Sequence, residues 1–548
     1  MKQFKKLILL SPCIIPLSLL ASCRGNNIPT GNVVWANYES YMGGDIIKKY
    51  SSDVTFLYYS TDDMIMNKFK SNYDIAIPSA NTIFTLLKKG YLSQVEWSLF
   101  GLKDANGKVI ETGKEVLENL IASTDDTNTT YDSGSDVDLV VESIDQWLVE
   151  HKDEYLPEEY LSTHDDTEIS ILDWTVPYFL QSLSFSYWGD ENLFEGSDPT
   201  WTTIRDQIRD NPIFDVKHPS NKISLVDDYR TIYDFSKLYE NEQTGLHDIN
   251  PPADVVSEQA FKKTYQDFAQ FGNSHKFYLN TDSVELANAF FGDFNTKKGT
   301  GILCYNADAV YAGCGLGQHS DEFKLVEGWF QADSQETALV TSATPEETAM
   351  IMDGIVFNKA LDNDQKRKEQ AYSYVRDICL DHIDYENEDY EDEYIDDTNE
   401  AGDYVYDSFN NFDNVMYVSP WEAIDSIVWP GTDPEGADYY DYFSDYIWYL
   451  IYEESGYGYV DEDGVGKIDP KILEALYGDD IDVGDYDDYV PEGWVSYLKN
   501  AFAITYPSSG LDESGNVDIT QGFYSELSLN DLQKSNMHWA YEKSKHLF

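Results

Sequence analysis

Strand-like and helix-like hydrophobic periods alternate from the first patterned residues onward. Val33 and Val34 begin an apolar run that closes on the aromatics Trp35, Tyr38 and Tyr41. A Gly-Gly break and a short helical run follow, then the β-branched and aromatic stretch VTFLYY at 54–59. A second helical run, with apolar positions Met64, Met66 and Phe69, leads into DIAIPS at 74–79. Strand and helix periods in alternation predict parallel βαβ units. Such units collect ligand groups at the carboxyl ends of their strands. Tyr38, Tyr41 and Ser79 fall at those ends, so residues 35–79 read as half of a binding cleft.

The pattern continues with helical NTIFTLLKKGYL at 81–92 and a polar segment over about 101–170. Turn signals stand at 104–107 and 132–136, and GKEVLENLIAS and VESIDQWLVEHKDEYL have helical apolar spacing. This segment is expected to be an insertion on a lobe surface. DWTVPYFLQSLSFSYW at 173–188 predicts a buried strand leading into a second lobe. DPTWTTIRDQIRD at 198–210 predicts a capped helix start. NKISLVDDYRTIYDFSKLY at 221–239 and GTGILCYNADAVY at 299–311 each predict a strand, a polar strand end and a helix. AMIMDGIVFNKA at 349–360 reads as a strand carrying Asp353, followed by the helix QKRKEQAYSYVRDICL. NVMYVSPWEAI at 414–424 reads as a Pro420 turn that starts a helix.

Charge changes the picture next. The 548 residues carry 37 basic and 100 acidic side chains, a net charge of −63, with 42 Tyr and 12 Trp. Such a field repels nucleic acid and anionic headgroups and favours cationic partners. The length allows two or three domains with ample core. The acid-aromatic mixtures at 383–407 and 435–454 are expected to be solvated surface.

The N-terminus reads as a targeting segment. MKQFKK supplies positive charge, and residues 7–20 form an apolar run too short for a stable span. The run ends in Leu20-Ala21-Ser22-Cys23, which resembles the lipobox of bacterial lipoproteins and implies acylation, such as palmitate, at Cys23. No later stretch is long and apolar enough to span a bilayer, so the remainder is expected to be tethered outside the membrane. After Cys23 only Cys304, Cys314 and Cys379 remain, which predicts no disulfide framework.

The sequence contains no HExxH, GxSxG or P-loop, and its nine His are scattered, so an enzyme is not expected. GCGLG at 313–317 lacks dinucleotide-binding spacing and reads as a loop. DEDGVGKID at 461–469 mimics a calcium loop in part, but Val465 and Ile472 occupy ligand positions. No metal or other cofactor is expected. What remains is a set of strand-end aromatics and carboxylates: Tyr38, Tyr41, Ser79, Asp227, Asp228, Tyr305, Asp353 and Tyr417. A polyamine calls for this mixture, because ammonium groups need carboxylates and both cations and methylenes favour ring faces. Strand-end Asp also serves as a helix cap, and strand-end Tyr as a half-buried core residue. Ferric iron on paired tyrosines, a sugar on the aromatics, or a surface lipoprotein used for adhesion stay open.

The order of motifs resembles the spermidine/putrescine-binding proteins, the substrate-binding components of polyamine ABC transporters. NYESYMGGDIIKKY, YDIAIPS, WTVPYFLQSLSFSYW, ISLVDDYR, GILCYNADAV, MDGIVFNKA and MYVSPWEAI follow in that family's order. The resemblance places the family's stacking aromatics on Tyr38 and Tyr41 and its strand-end serine on Ser79. It also places the first acid of the central amine site on Asp228, the next aromatic wall on Tyr305, the amine-gripping Asp on Asp353 and the late tyrosine on Tyr417. The sequence departs at Ala80 and Asn81 (an aromatic in the family), Thr231 (a second acid) and Ile351 (a tryptophan).

The resemblance implies a two-lobed α/β fold of the periplasmic-binding-protein type (type II), with a ligand cleft between the lobes and acidic insertions. Residues 1–22 would be the signal peptide and 23–32 a tether. Lobe 1 would comprise 33–172 and 353–430, lobe 2 would comprise 173–352 and 495–548, and 431–494 would be an acidic-aromatic insertion. The implied role is a lipid-anchored, extracytoplasmic solute-binding protein that delivers a polyamine or other small cation to a permease and its ATPase.

Overall fold

The computed structural model describes residues 31–38, 41–59, 61–123, 135–188, 199–211, 222–270, 277–281, 301–308, 340–383, 406–415, 417–428 and 504–548. Short pieces at 193–194, 214, 286, 323–326, 329–332, 335–336, 458–460 and 466–468 complete the description. Cys23 and its leader, the GCGLG loop, Cys314, almost all of both acid-aromatic stretches and most of the calcium-like loop lie outside the described residues.

The strands in chain order are β1 (Val33–Tyr38), β2 (Val54–Tyr59), β3 (Ile75–Ala76), β4 (Val176–Trp188), β5 (Ile223–Val226), β6 (Phe277–Asn280) and β7 (Gly301–Tyr305). They continue with β8 (Phe323–Val326), β9 (Trp329–Ala332), β10 (Gln335–Glu336), β11 (Val340–Ala343), β12 (Met350–Phe357), β13 (Gly458–Val460) and β14 (Gly466–Ile468). The main sheet runs β2-β1-β3-β12-β4-β7-β5-β6, with β11 also paired to β4. β1 pairs in parallel with β2 and β3, as the opening βαβ pattern predicts, and β5 pairs in parallel with β6 and β7. Between these parallel sets run two antiparallel strands, β12 and the thirteen-residue β4.

Helices α1 (Gly44–Tyr50), α2 (Asp62–Asn72) and α3 (Ala80–Lys88) connect the first set. In α2 the buried positions are Ile65 and Phe69, four apart, while Met64 is exposed. Of the expected apolar positions, Phe69 is buried and Met66 packs half-buried against the first core, while Ile65 rather than Met64 faces inward. α4 (Gly113–Leu120) opens with a Thr112–Glu115 capping box, and α5 (Val137–Glu150) follows. Val116, Leu120, Val140, Val141, Ile144 and Leu148 of these helices are fully buried in the first core. The described helices of the 101–170 segment, expected on a lobe surface, thus pack into the first core. The segment's polar composition is the outer face of amphipathic helices.

Short helices α6 (Lys152–Tyr155) and α7 (Glu158–Leu161) precede β4. In the second set, α8 (Trp201–Asp210) starts at a Thr200–Thr203 capping box, and α9 (Tyr229–Thr244) ends on left-handed Gly245. α10 (Glu258–Ala269) packs beside α9. Then come α11 (Gln365–Val375), α12 (Asp407–Val415), α13 (Glu422–Val428) and the C-terminal α14 (Asp531–Ser544).

Two hydrophobic clusters result. The first gathers the interior of β1–β3, α3–α5, β12 and α11, and the second that of α8–α10, β5 and α14. β4 belongs to both: Val176, Tyr178 and Leu180 pack in the first, Leu183, Phe185 and Tyr187 in the second. The C-terminal segment also visits both, with Ile504, Tyr506 and Tyr524 in the first and Met537, Tyr541 and Phe548 in the second.

The register of β12 against β4 shifts between Asp353 and Gly354, where Gly354 stands opposite Pro177. Pro177 has no N–H to give to a ladder, and a bulge is where a central strand tolerates it. Gly354 instead donates its N–H to Pro78 O (3.1 Å), which draws β12 toward the end of β3. A Cβ on Gly354 would lie 2.1 Å from Thr175 Oγ1. Gly354→Ala is therefore expected to destabilise the fold by about 1–3 kcal/mol through overpacking. A urea unfolding midpoint equal to that of the wild type would show that Thr175 yields without cost.

Candidate functional site

The carboxyl ends of β1, β3, β5 and β7 meet the middle of β4 and β12, and the polar groups of the chain collect there. On the first lobe, Tyr41 OH donates to Asp353 Oδ2 (2.6 Å). Gln181 Nε2, from the middle of β4, donates to the same carboxylate and to Tyr41 OH (3.0 Å). Tyr41 is itself fixed, since its carbonyl accepts from Tyr178 OH (2.7 Å) and Asn37 Nδ2 (3.1 Å). The ring of Tyr417 packs edge-on against Tyr41, with centroids 5.3 Å apart. Tyr38 stacks beside Tyr59 and Tyr41, and its hydroxyl donates to Asp62, the first residue of α2. Ser79 Oγ also donates to Asp62 instead of capping α3.

On the second lobe, Asp228 caps α9, with Oδ1 accepting from the backbone N–H of Arg230 (2.8 Å) and Thr231 (2.9 Å). Thr231 Oγ1 stands 2.8 Å from Tyr305 OH, at the end of β7. Arg230 Nε pairs with Asp234 Oδ1 (3.1 Å) and faces Glu526 Oε1 at 3.8 Å. Asn81 of α3 donates to Glu526 Oε2 (2.7 Å), so one hydrogen bond joins the two lobes across the site. Asp227 points elsewhere and binds Tyr541 OH (2.6 Å) and Lys545 of the C-terminal helix region.

The electrostatics are one-sided. Burial raises the carboxyl of Asp353, 1% exposed, to about 8, against which the Tyr41 hydrogen bond acts and to which Asp62 and Glu526 add repulsion. Burial likewise raises Asp62 and Asp228, and brings Asp308 to about 7. The phenols of Tyr38, Tyr41, Tyr305 and Tyr417 are pushed up by burial and by these acids, which keeps them neutral donors. Among the described residues, neither Asp62 nor Asp353 has a basic side chain paired to it. The N-termini of α2 and α9, which would attract an anion, already hold the chain's own Asp62 and Asp228. Among the described residues no group of His, Cys, Asp and Glu is arranged to hold a metal ion.

The structure brings Tyr38, Tyr41, Ser79, Asp353 and Tyr417 into one contiguous set, and Asp228 and Tyr305 into a second set joined to it through Thr231, Arg230 and Glu526. Asp62, Gln181, Asn81, Arg230 and Glu526 were not among the residues expected from sequence. Gln181 carried a signal, as the amide within the apolar run of β4. Asp62, in the Thr-Asp-Asp that starts α2, looked like an ordinary helix-start acid. Glu526 gave no local signal, since its neighbours come from residues far away in sequence.

Comparison with known proteins adds the following. A family model described as "Hypothetical lipoprotein (MG045 family)" matches residues 1–436. No curated protein matches the chain. Among solved structures, the chain is similar to a putative spermidine/putrescine ABC transporter from Listeria monocytogenes, at 11% identity and TM-score 0.42, over 94% of this chain and 99% of that one. It is also similar to the spermidine/putrescine ABC transporter substrate-binding protein PotD from Streptococcus pneumoniae, at 13% identity and TM-score 0.41, over 94% and 99%. A third is the Tp0655 (TpPotD) lipoprotein of Treponema pallidum, at 12% identity and TM-score 0.36, over 63% and 79%.

The raised carboxyl of Asp353 fixes the sign of a pH effect. The fold favours its protonated form, so that contribution is complete below about pH 4 and is lost as pH rises through about 8. The melting temperature is expected to fall between about pH 5 and pH 8, and less steeply in Asp353→Asn. Parallel slopes in the two proteins would show that Asp353 does not titrate in this window.

Proposed function

This chain belongs to the hypothetical lipoprotein (MG045) family, and from that premise we propose that it is a lipid-anchored, extracytoplasmic solute-binding protein. Its ligand is a small cationic amine of the spermidine or putrescine class, bound between the lobes and passed to an ABC permease and its ATPase. One observation carries the reading. Asp62 and Asp353 are held side by side through Ser79, which bonds Asp62 and bridges the backbone of Asp353, with no basic partner among the described residues. Buried carboxylates without a counter-ion are costly, and a ligand ammonium offsets that cost.

The remaining groups fit the same chemistry. Asp353 offers Oδ1 or Oδ2 to an ammonium while Tyr41 and Gln181 hold its orientation. Asp62 does the same under Tyr38 and Ser79. The rings of Tyr38, Tyr41, Tyr305 and Tyr417 supply faces for methylene spacers and for the cations, at about 0.5–2 kcal/mol per cation–π contact. Recognition is the task of these groups, and closure of the lobes over the ligand would present a surface to the permease. Among the described residues no helix is long and apolar enough to cross a membrane, and anchoring would rest on acylated Cys23.

Thermal-shift measurements with spermidine, putrescine, ferric citrate and maltodextrin test the ligand class, and a shift with maltodextrin or ferric citrate alone overturns the reading. In calorimetry with spermidine, Asp353→Asn is expected to weaken binding about tenfold, the value of one hydrogen bond to a charged group. Binding is also expected to tighten as pH rises toward 8, because the receiving form of Asp353 is the carboxylate. Palmitate labelling of the expressed chain is expected to vanish in Cys23→Ala. Labelling that persists would place the anchor elsewhere.

A further inference from the structure

We propose that Glu526 is a third ligand carboxylate of the cleft and that it sets the ligand's charge, favouring a triamine over a diamine; this rests on the amine reading above. Glu526 sits on a strap, residues 523–528, that is bonded to both lobes. On one side Phe523 N donates to His247 O (2.6 Å) and Leu527 N to Asn250 Oδ1 (2.7 Å), while Asn250 Nδ2 donates to Ser525 O (2.9 Å). On the other, Asn81 reaches Glu526 and the hydroxyls of Thr85 and Ser528 stand 3.0 Å apart. The side chain of Glu526 therefore lies where the two halves of the site face each other, and it is 4% exposed.

Glu526 repels Asp62 and Asp353 of the first lobe and Asp228 and Tyr305 of the second, raising each of them. The basic group beside it is Arg230, which is shared: its Nε stands 3.1 Å from Asp234 but 3.8 Å from Glu526, beyond a hydrogen bond. Arg230 Nη2 donates to Asn250 Oδ1 (2.9 Å), the atom that also receives Leu527 N. Arg230 is thus a positioning residue that holds the strap in place and offsets one of two carboxyls. Burial pushes the Asp234 carboxyl well up, against the pull of Arg230. Glu526 Oε1 accordingly keeps acceptor capacity for a ligand ammonium, additional to those taken by Asp62 and Asp353.

Calorimetry on the full chain with spermidine and putrescine, at one pH and salt concentration, tests this. The wild type is expected to bind spermidine more tightly. Glu526→Gln, which keeps an oxygen for Asn81, is expected to weaken spermidine about tenfold and putrescine less than about threefold. Asn81→Ala removes one of the two contacts between α3 and the strap but leaves the charge, so it should weaken both amines alike. A spermidine-to-putrescine ratio that does not move in Glu526→Gln, or moves equally in Asn81→Ala, overturns the proposal while leaving the amine reading intact. Binding of neither amine by the wild type overturns both. Should Glu526→Gln not fold, Glu526→Asp is measured instead: drawing the carboxylate back by one methylene should weaken spermidine more than putrescine, and equal weakening overturns the proposal.

Discussion

The pairing of β4 with β12 is the constraint on which the rest of the molecule depends. β4 is long enough to enter both hydrophobic clusters, and β12 is buried along its whole length beside it. Two parallel sets, each of which needs a covered sheet, are joined through these antiparallel strands. A register shift in the middle of the pair is thus felt on both sides. It places Asp353 and Gln181 at the junction, where an apolar residue would otherwise have continued the strand. The bulge exists because Pro177 cannot donate to the ladder and because only glycine fits against Thr175.

Around that junction the chain buries acids that it does not neutralise. Asp62, Asp228 and Asp353 are given hydroxyl, amide and backbone donors, which orient carboxylates without supplying full positive charge. Burial raises all three carboxyls, Asp353 to about 8. Arg230 stands beside Glu526 and bonds the Asn250 that holds the C-terminal strap, while Asn81 bonds Glu526 from α3.

The departures noted in the sequence acquire physical meaning here. Asn81, standing where a ring was expected, supplies the hydrogen bond that crosses between lobes. Thr231, standing where an acid was expected, closes a hydroxyl contact with Tyr305 beneath the cap of α9. An acid then enters from Glu526, on a segment with no local pattern to announce it.

By itself the sequence determined the strand and helix order, the parallel βαβ start, the buried crossing strand and the capped helix start at 198–210. These follow from local periods and capping chemistry, which neighbouring residues decide. It also marked Tyr38, Tyr41, Ser79, Asp228, Tyr305, Asp353 and Tyr417 as strand-end polar groups. Only the tertiary structure decided which of them meet, because Tyr41 and Asp353 lie 312 residues apart and are joined by strand register. It buried Ile65 of α2 beside the expected Phe69, and it packed the described helices of 101–170 into the first core. It also brought Asp62, Gln181 and Glu526 to the site, because long-range packing has no period that a local reading can detect.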